Sequence, residues 1–222
     1  MSTVSEVVVV VPAHDEERLL PRCLRSLARA ARHVPVPVRV VVVLDSCTDG
    51  SAAVLGPGVR SVVVSHRNVG AARAAGFGAA GVSPTTWCAC TDADTVVSPT
   101  WLRAQLAHAS AGVDVLVGTV RTRGWSQHPV GLREVYESGY TQADGHRHVH
   151  GANLGVRGSV YTALGGFHRL ALHEDVDLVH RAMGAGLVVH WSADPVVHTS
   201  TRTVGRAAGG FATHLNTLAA AL

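Results

Sequence analysis

The chain has 222 residues, 47% of them hydrophobic and 16% charged, with a formal charge of +3. That composition forms a core and excludes wholesale disorder. All 19 basic residues are Arg, scattered and with few aromatics between them, which excludes a nucleic-acid partner as the expectation.

In chain order, Val7–Val11 is a β-branched run closed by Pro12, the pattern of a buried parallel strand. His14 to Glu17 then lead into a helix whose apolar positions 20, 24, 27, 28 and 31 have helical spacing and which Pro35 and Pro37 end. Arg39–Leu44 predicts a second strand, followed by the polar loop Asp45–Ser51. Val59–Ser65 predicts a third strand, and an Ala-rich helix follows over roughly 71–80. Thr86–Thr91 predicts a fourth strand ending in Asp92-Ala93-Asp94, then a helix over Trp101–Ala109 and a fifth strand over Val113–Val120. Beyond it, 121–150 holds no long apolar run and 151–167 is turn-rich. A helix is expected over His173–Met183, a late strand over Leu187–Ser192 and a helical tail in Thr199–Leu222.

Strand and helix thus alternate four times in the first 110 residues, which predicts an α/β sandwich with a mostly parallel sheet. Ligands bind such sheets beyond the carboxyl ends of the strands. Asp45, Asp92 and Asp94 fall at those ends, with Asp15 and Glu16 just past Pro12. The longest apolar runs are far below the roughly 18 residues of a membrane helix. The N-terminus shows no signal peptide, and four Cys without a CxxC pair do not read as a disulfide framework. A cytoplasmic setting is expected, with the membrane surface left open.

Two carboxylates two residues apart, Asp92 and Asp94, can converge on one Mg²⁺ or Mn²⁺, although Asp is also common where a strand turns. Asp45 offers acceptors to a nucleoside or, alternatively, caps the loop; Arg73 suits a phosphate or a solvated helix face. Gly76–Gly81 matches G-x-G-x-x-G, but it neither follows a strand directly nor opens a helix, so the glycines are assigned to helix packing. Glu174 and Asp175 open a helix, where Asp175 can serve as a general base or simply as a cap. His198 is a candidate metal ligand, Arg202 and Arg206 are candidates for a diphosphate clamp, and His146, His148 and His150 alternate as a weaker metal candidate or a solvated loop.

In combination these fragments resemble the family 2 glycosyltransferases of GT-A fold over about residues 6–210. Val8 to Glu17 is similar to that family's opening strand and "VIPAYNEE" loop. Val43 to Ser51 resembles "VDDGSTDGT" shortened by one residue, and Asn68 to Gly76 looks like the helix "N-x-G-x-x-x-A-x-N-x-G". Thr91-Asp-Ala-Asp94 stands at the DxD position, Gly151–Arg157 and Leu164–Phe167 at the stretch before the acceptor site, and His173-Glu-Asp175 at "xED".

The resemblance implies one GT-A domain over 1–222, a three-layer sandwich whose nucleotide-sugar-binding half is about 1–118 and whose acceptor half is about 119–210. It implies a nucleotide-diphospho-sugar donor held by Pro12, Ala13, Glu16, Asp45, Arg73, Asp92, Ala93, Arg202 and Arg206. A Mg²⁺ or Mn²⁺ would sit on Asp94 and Asp92, with His198 as a further ligand. Asp175, beside Glu174, would be the base toward an acceptor hydroxyl, giving inversion. The acceptor itself, expected around Trp125, Tyr136, Tyr140 and 144–157, is not specified. With no membrane helices and no QxxRW motif, single addition is expected rather than polymerisation. A sugar-phosphate nucleotidyltransferase would need a Gly-rich loop with Lys after the first strand, and no Lys exists. A non-catalytic, degenerate nucleotide-sugar-binding homologue is the alternative.

Overall fold

In the computed structural model, which describes residues 3–205 and 209–222, the β-branched runs form strands and the intervening segments return over them as helices. The first half comprises β1 (Glu6–Ala13), α1 (Leu20–Ala31), β2 (Val38–Asp45), β3 (Arg60–Val64), α2 (Val69–Ala80) and β4 (Thr86–Cys90). Then come β5 (Val96–Val97), α3 (Trp101–Ser110), β6 (Val115–Arg123), α4 (Leu132–Ser138), β7 (Leu154–Arg157) and α5 (Gly158–Ala163). The last elements are α6 (Glu174–Gly184), β8 (Val189–Ser200) and α7 (Phe211–Ala219).

Among the described residues the strands form one sheet in the order β3-β2-β1-β4-β7-β6-β8-β5. The β3-β2-β1-β4 part is wholly parallel, while β7 runs antiparallel between β4 and β6. Alternation along β1 divides its side chains between two cores. Val7, Val9 and Val11 pack on one face with Leu20, Leu27, Trp101 and Leu102 from α1 and α3. Val8 and Val10 pack on the other with Phe77 of α2 and Leu178 and Val179 of α6. This is the three-layer α/β sandwich expected.

The second half departs from the reading in detail. β7 lies in the stretch read as turns; at four residues it is too short to show a period in sequence. The late strand runs on to Ser200, so His198 lies within β8 rather than beyond a strand end. Its extension begins at an irregularity in the β6–β8 register between Gly118 and Val120. Buried Asn153 closes that irregularity, donating to Thr119 O at 2.8 Å and Pro195 O at 2.7 Å and accepting from Trp101 Nε1 at 2.9 Å. The segment 121–150, which shows no long apolar run, holds α4, whose Tyr136 meets Phe211 of α7 at 5.5 Å between rings.

Candidate active site

The carboxyl ends of β1, β2 and β4 open toward the N-terminus of α6, and acidic side chains from all four collect there. Two arginines organise them. Arg73 of α2 is 3% exposed; it donates to Asp92 Oδ1 at 2.7 Å through Nη2 and to Glu174 Oε1 through Nη1. Arg202 lies 3.0 Å from Asp94 Oδ2 through Nη2 and donates to Glu16 Oε1 through Nη1. Each guanidinium therefore bridges two carboxylates from segments far apart in sequence.

The local sequence explains these placements. Asn68 caps α2 by accepting from Ala71 N at 2.8 Å, which sets the helix phase that turns Arg73 inward. Gly151 leaves room for Arg73, since a Cβ there would collide with the guanidinium. Glu16 is 5% exposed and its backbone N–H donates to Ser51 Oγ at 2.7 Å, joining the loop after β1 to the loop after β2.

Burial raises the Asp94 carboxyl above its ordinary value against the opposing pull of Arg202. Thr199 Oγ1 donates to Asp94 Oδ1 at 3.2 Å. Glu174 is likewise raised by burial, with Arg73 opposing. Asp175 stands in the first turn of α6, where its Oδ2 accepts from Gly151 N at 2.6 Å and its Oδ1 from Val176 N at 2.8 Å.

Asp45 sits at the end of β2, next to the others, but its carboxylate is occupied. Oδ1 accepts from His66 N at 2.7 Å and Arg67 N at 2.8 Å, and Oδ2 from Asn68 N at 2.9 Å. Burial alone would raise this carboxyl; the three backbone donors outweigh it and hold it below its ordinary range. In this state Asp45 shapes the loop that leads into α2.

His198 is not brought to Asp94. Adjacent strand residues point to opposite faces, and Thr199 is the one that reaches Asp94. His198 pairs in register with Arg121 and lines a cleft on the other side. Arg206 lies outside the described residues.

Among the described residues, the one group of three ligand types with atoms within 4.8 Å is Asp15, Cys47 and Asp49. Asp15 there accepts from Thr48 N at 2.7 Å and Asp49 N at 3.2 Å. His146, His148 and His150 stack rather than chelate: His148 lies 4.1 Å from the Tyr140 ring at 8°. His150, lowered to about 4 chiefly by burial, meets Tyr140 Oη through Nε2 at 2.9 Å.

Sequence reasoning named Tyr140 and the 144–157 stretch for the acceptor side, but not the contacts that link Thr199, Tyr140 and His150 to the site carboxylates. Tyr140 and Thr199 enter through pairings made by short or late elements. His150 directly precedes Gly151, whose N–H holds Asp175, but adjacency of that kind carries no signal until the fold is known.

The glycosyl transferase family 2 model matches residues 8–164 of this chain. No curated protein sequence matches significantly. Among solved structures, S. aureus TarS residues 1–349 in complex with UDP-GlcNAc is similar, with 17% identity and a TM-score of 0.67. That match covers 97% of this chain and 66% of TarS 1–349. The mannosyltransferase PcManGT from Pyrobaculum calidifontis in complex with GDP-Man and Mn²⁺ is 19% identical with a TM-score of 0.67, covering 90% of this chain and 58% of that one. The chain thus spans about two thirds or less of the length of either structure, and at these identities the likeness speaks to the fold.

Proposed function

The chain belongs to glycosyl transferase family 2, and from that premise we propose that it moves a sugar from a nucleotide-diphospho-sugar to an acceptor hydroxyl, with Asp175 as the base. The observation that carries this reading is the linked network at the strand ends. Arg73 ties Asp92 of the DxD pair to Glu174, and Asp175 is the next residue. The donor diphosphate and the base thereby share one pocket wall.

In this reading Pro12, Ala13, Glu16, Asp45 and Ala93 line the donor side, in the 1–118 half. Asp45 acts through the loop that its carboxylate holds. Arg202 now bridges Glu16 and Asp94; its freed guanidinium would then meet the diphosphate, where negative charge develops as the sugar–phosphate bond breaks. The family resemblance gives Arg206 the same role toward the diphosphate. Asp175 receives the acceptor proton on the face of the sugar opposite the leaving group, so the anomeric configuration inverts. The Gly151 N–H keeps that carboxylate aimed while leaving it lone pairs for the hydroxyl.

The donor set fits a hard divalent cation: Asp94 is a buried carboxylate whose present countercharge is one guanidinium, and Asp92 is the more exposed partner at 37%. Asp94 and Asp92 would hold Mg²⁺ or Mn²⁺, and His198 would join them only by turning from its cleft. Such an ion supplies charge neutralisation for the leaving diphosphate. The single-addition reading rests on the sequence, which contains no QxxRW motif.

A thermal-shift series with Mn²⁺ and UDP-, GDP- and dTDP-sugars tests the proposal. One donor should raise the melting temperature by mass action, and Asp94→Asn should abolish the metal-dependent part. A well-folded chain that no donor stabilises would overturn it.

A further inference from the structure

Between the ends of β6 and β8 and the segment around α4 lies a cleft of about 450 Å³, lined among others by Arg121, Arg123, Tyr140, Gln142 and His198. Arg121 and Arg123 are two apart on β6, so both guanidinium stems leave the same face, about 6.8 Å apart at the backbone. His198 stands opposite Arg121 in register.

Neither arginine has a carboxylate partner among the described residues. Arg121 makes a long contact of 3.4 Å from Nε to Gln142 Oε1, and Glu137, the one carboxylate lining the cleft, is paired with Arg133, which also lines it, at 2.9 Å, so two guanidinium charges stay unmatched. The buried Nδ1 of His198 has no partner among the described residues. Like charges gathered in a concavity without a counterion favour an anionic occupant.

The cleft also communicates with the base. Tyr140 forms its wall and contacts His150 Nε2 at 2.9 Å, and Gly151, the next residue, donates to Asp175 at 2.6 Å.

We propose that this cleft binds the acceptor through a phosphate ester, so that the acceptor is a phosphorylated sugar or polyol whose free hydroxyl faces Asp175. The inference rests on the transferase reading above and names its acceptor class. Two guanidinium forks match the oxygens of a tetrahedral phosphate, whereas a neutral glycan would leave both charges uncompensated.

The test is calorimetric titration of glycerol 3-phosphate, with neutral glycerol as the comparison, into the chain saturated with UDP, GDP or dTDP. Parallel sedimentation uses phosphatidylglycerol and phosphatidylcholine vesicles. Glycerol 3-phosphate should bind, glycerol should not, and Arg121→Gln/Arg123→Gln should weaken the phosphate at least tenfold. Both arginines are exposed, so the double variant should fold, and Arg29→Gln on exposed α1 surface serves as the charge control.

Binding to phosphatidylglycerol vesicles that the double variant loses would support the proposal with the phosphate on a lipid. Binding of glycerol 3-phosphate alone would support it with a soluble source. Equal binding of glycerol, unchanged binding by the double variant, displacement by the nucleotide, or no phosphate binding in either form would overturn it. The nucleotide titration is run first. If none of UDP, GDP and dTDP binds, the transferase reading fails by itself, and the phosphate titration on the free chain still decides the cleft.

Discussion

Removing the Arg73 guanidinium leaves the buried Glu174 carboxylate without its countercharge and frees Asp92. Arg73→Ala should therefore cost about 3–5 kcal/mol in chemical denaturation, far more than loss of an exposed pair such as Arg133–Glu137, at about 0–1 kcal/mol. Asp45 gives a pH signature. Its folded-state carboxyl lies below the ordinary value of 3.8, so its contribution is complete above that value and is lost as pH falls through the folded one. The stability difference between wild type and Asp45→Asn should be about 1–3 kcal/mol near pH 6 and shrink near pH 3. A difference that did not vary with pH would contradict the assignment. Asp94 behaves oppositely: burial raises it, so protons compete there with a cation, and Mn²⁺ affinity should fall as the pH is lowered, beginning above the ordinary carboxylate range. Asp92, Asp94, Glu174 and Asp175 were legible in the sequence because carboxylates at strand ends and helix starts stand out there. Their arginine partners were not equally legible, because which carboxylates a guanidinium bridges is decided by tertiary packing.

At the scale of elements, α2 carries much of the site's precision. It crosses the sheet closely enough that a Cβ at Gly76 would lie 2.6 Å from Val10 Cγ1 and 2.8 Å from Val43 Cγ2, both within the core. Gly76→Ala should thus push α2 off the sheet and cost about 1–3 kcal/mol, shifting Arg73 and weakening donor affinity with it. The exposed Gly78 has nothing within 4 Å of its would-be Cβ, so Gly78→Ala should be neutral or slightly stabilising. Thermal melts of the two variants separate packing from propensity. The G-x-G-x-x-G run lay too far from a strand end for a phosphate loop and was read as packing, which holds for Gly76 but not for the exposed Gly78. β7 and the long arm of β8 were not readable: four residues give no periodicity, and β8 passes through Asp194 and Pro195, which read as a break. Their places are fixed by Asn153 and by the β6 register, which are long-range contacts.

Over the whole molecule, two arginine bridges join three parts of the chain. Arg73 connects the first half to α6, and Arg202 connects the end of β8 back to the loops after β1 and β4. The first bridge is buried and structural in kind; the second is partly exposed at 27% and spans the proposed diphosphate position. Releasing it should expose Asp94. Arg202→Ala should therefore raise Mn²⁺ affinity while lowering turnover, a split that calorimetry and kinetics can record on the same protein. The fold class was legible at this scale, since four strand–helix alternations with acidic strand ends permit few other arrangements. The proposed acceptor side was less legible, because α4, the histidine stack and the arm of β8 that would form it have no strong period of their own.

The central claim is that Asp175 accepts the acceptor proton in transfer from a nucleotide sugar. The most direct measurement is release of nucleoside diphosphate from the stabilising donor, followed for wild type and Asp175→Asn with donor affinity measured alongside. The account predicts a fall in turnover of about 10²-fold or more at nearly unchanged donor Kd, as expected for loss of a positioned base. Turnover within threefold of wild type, with donor still bound, would contradict it and move the base elsewhere in the site.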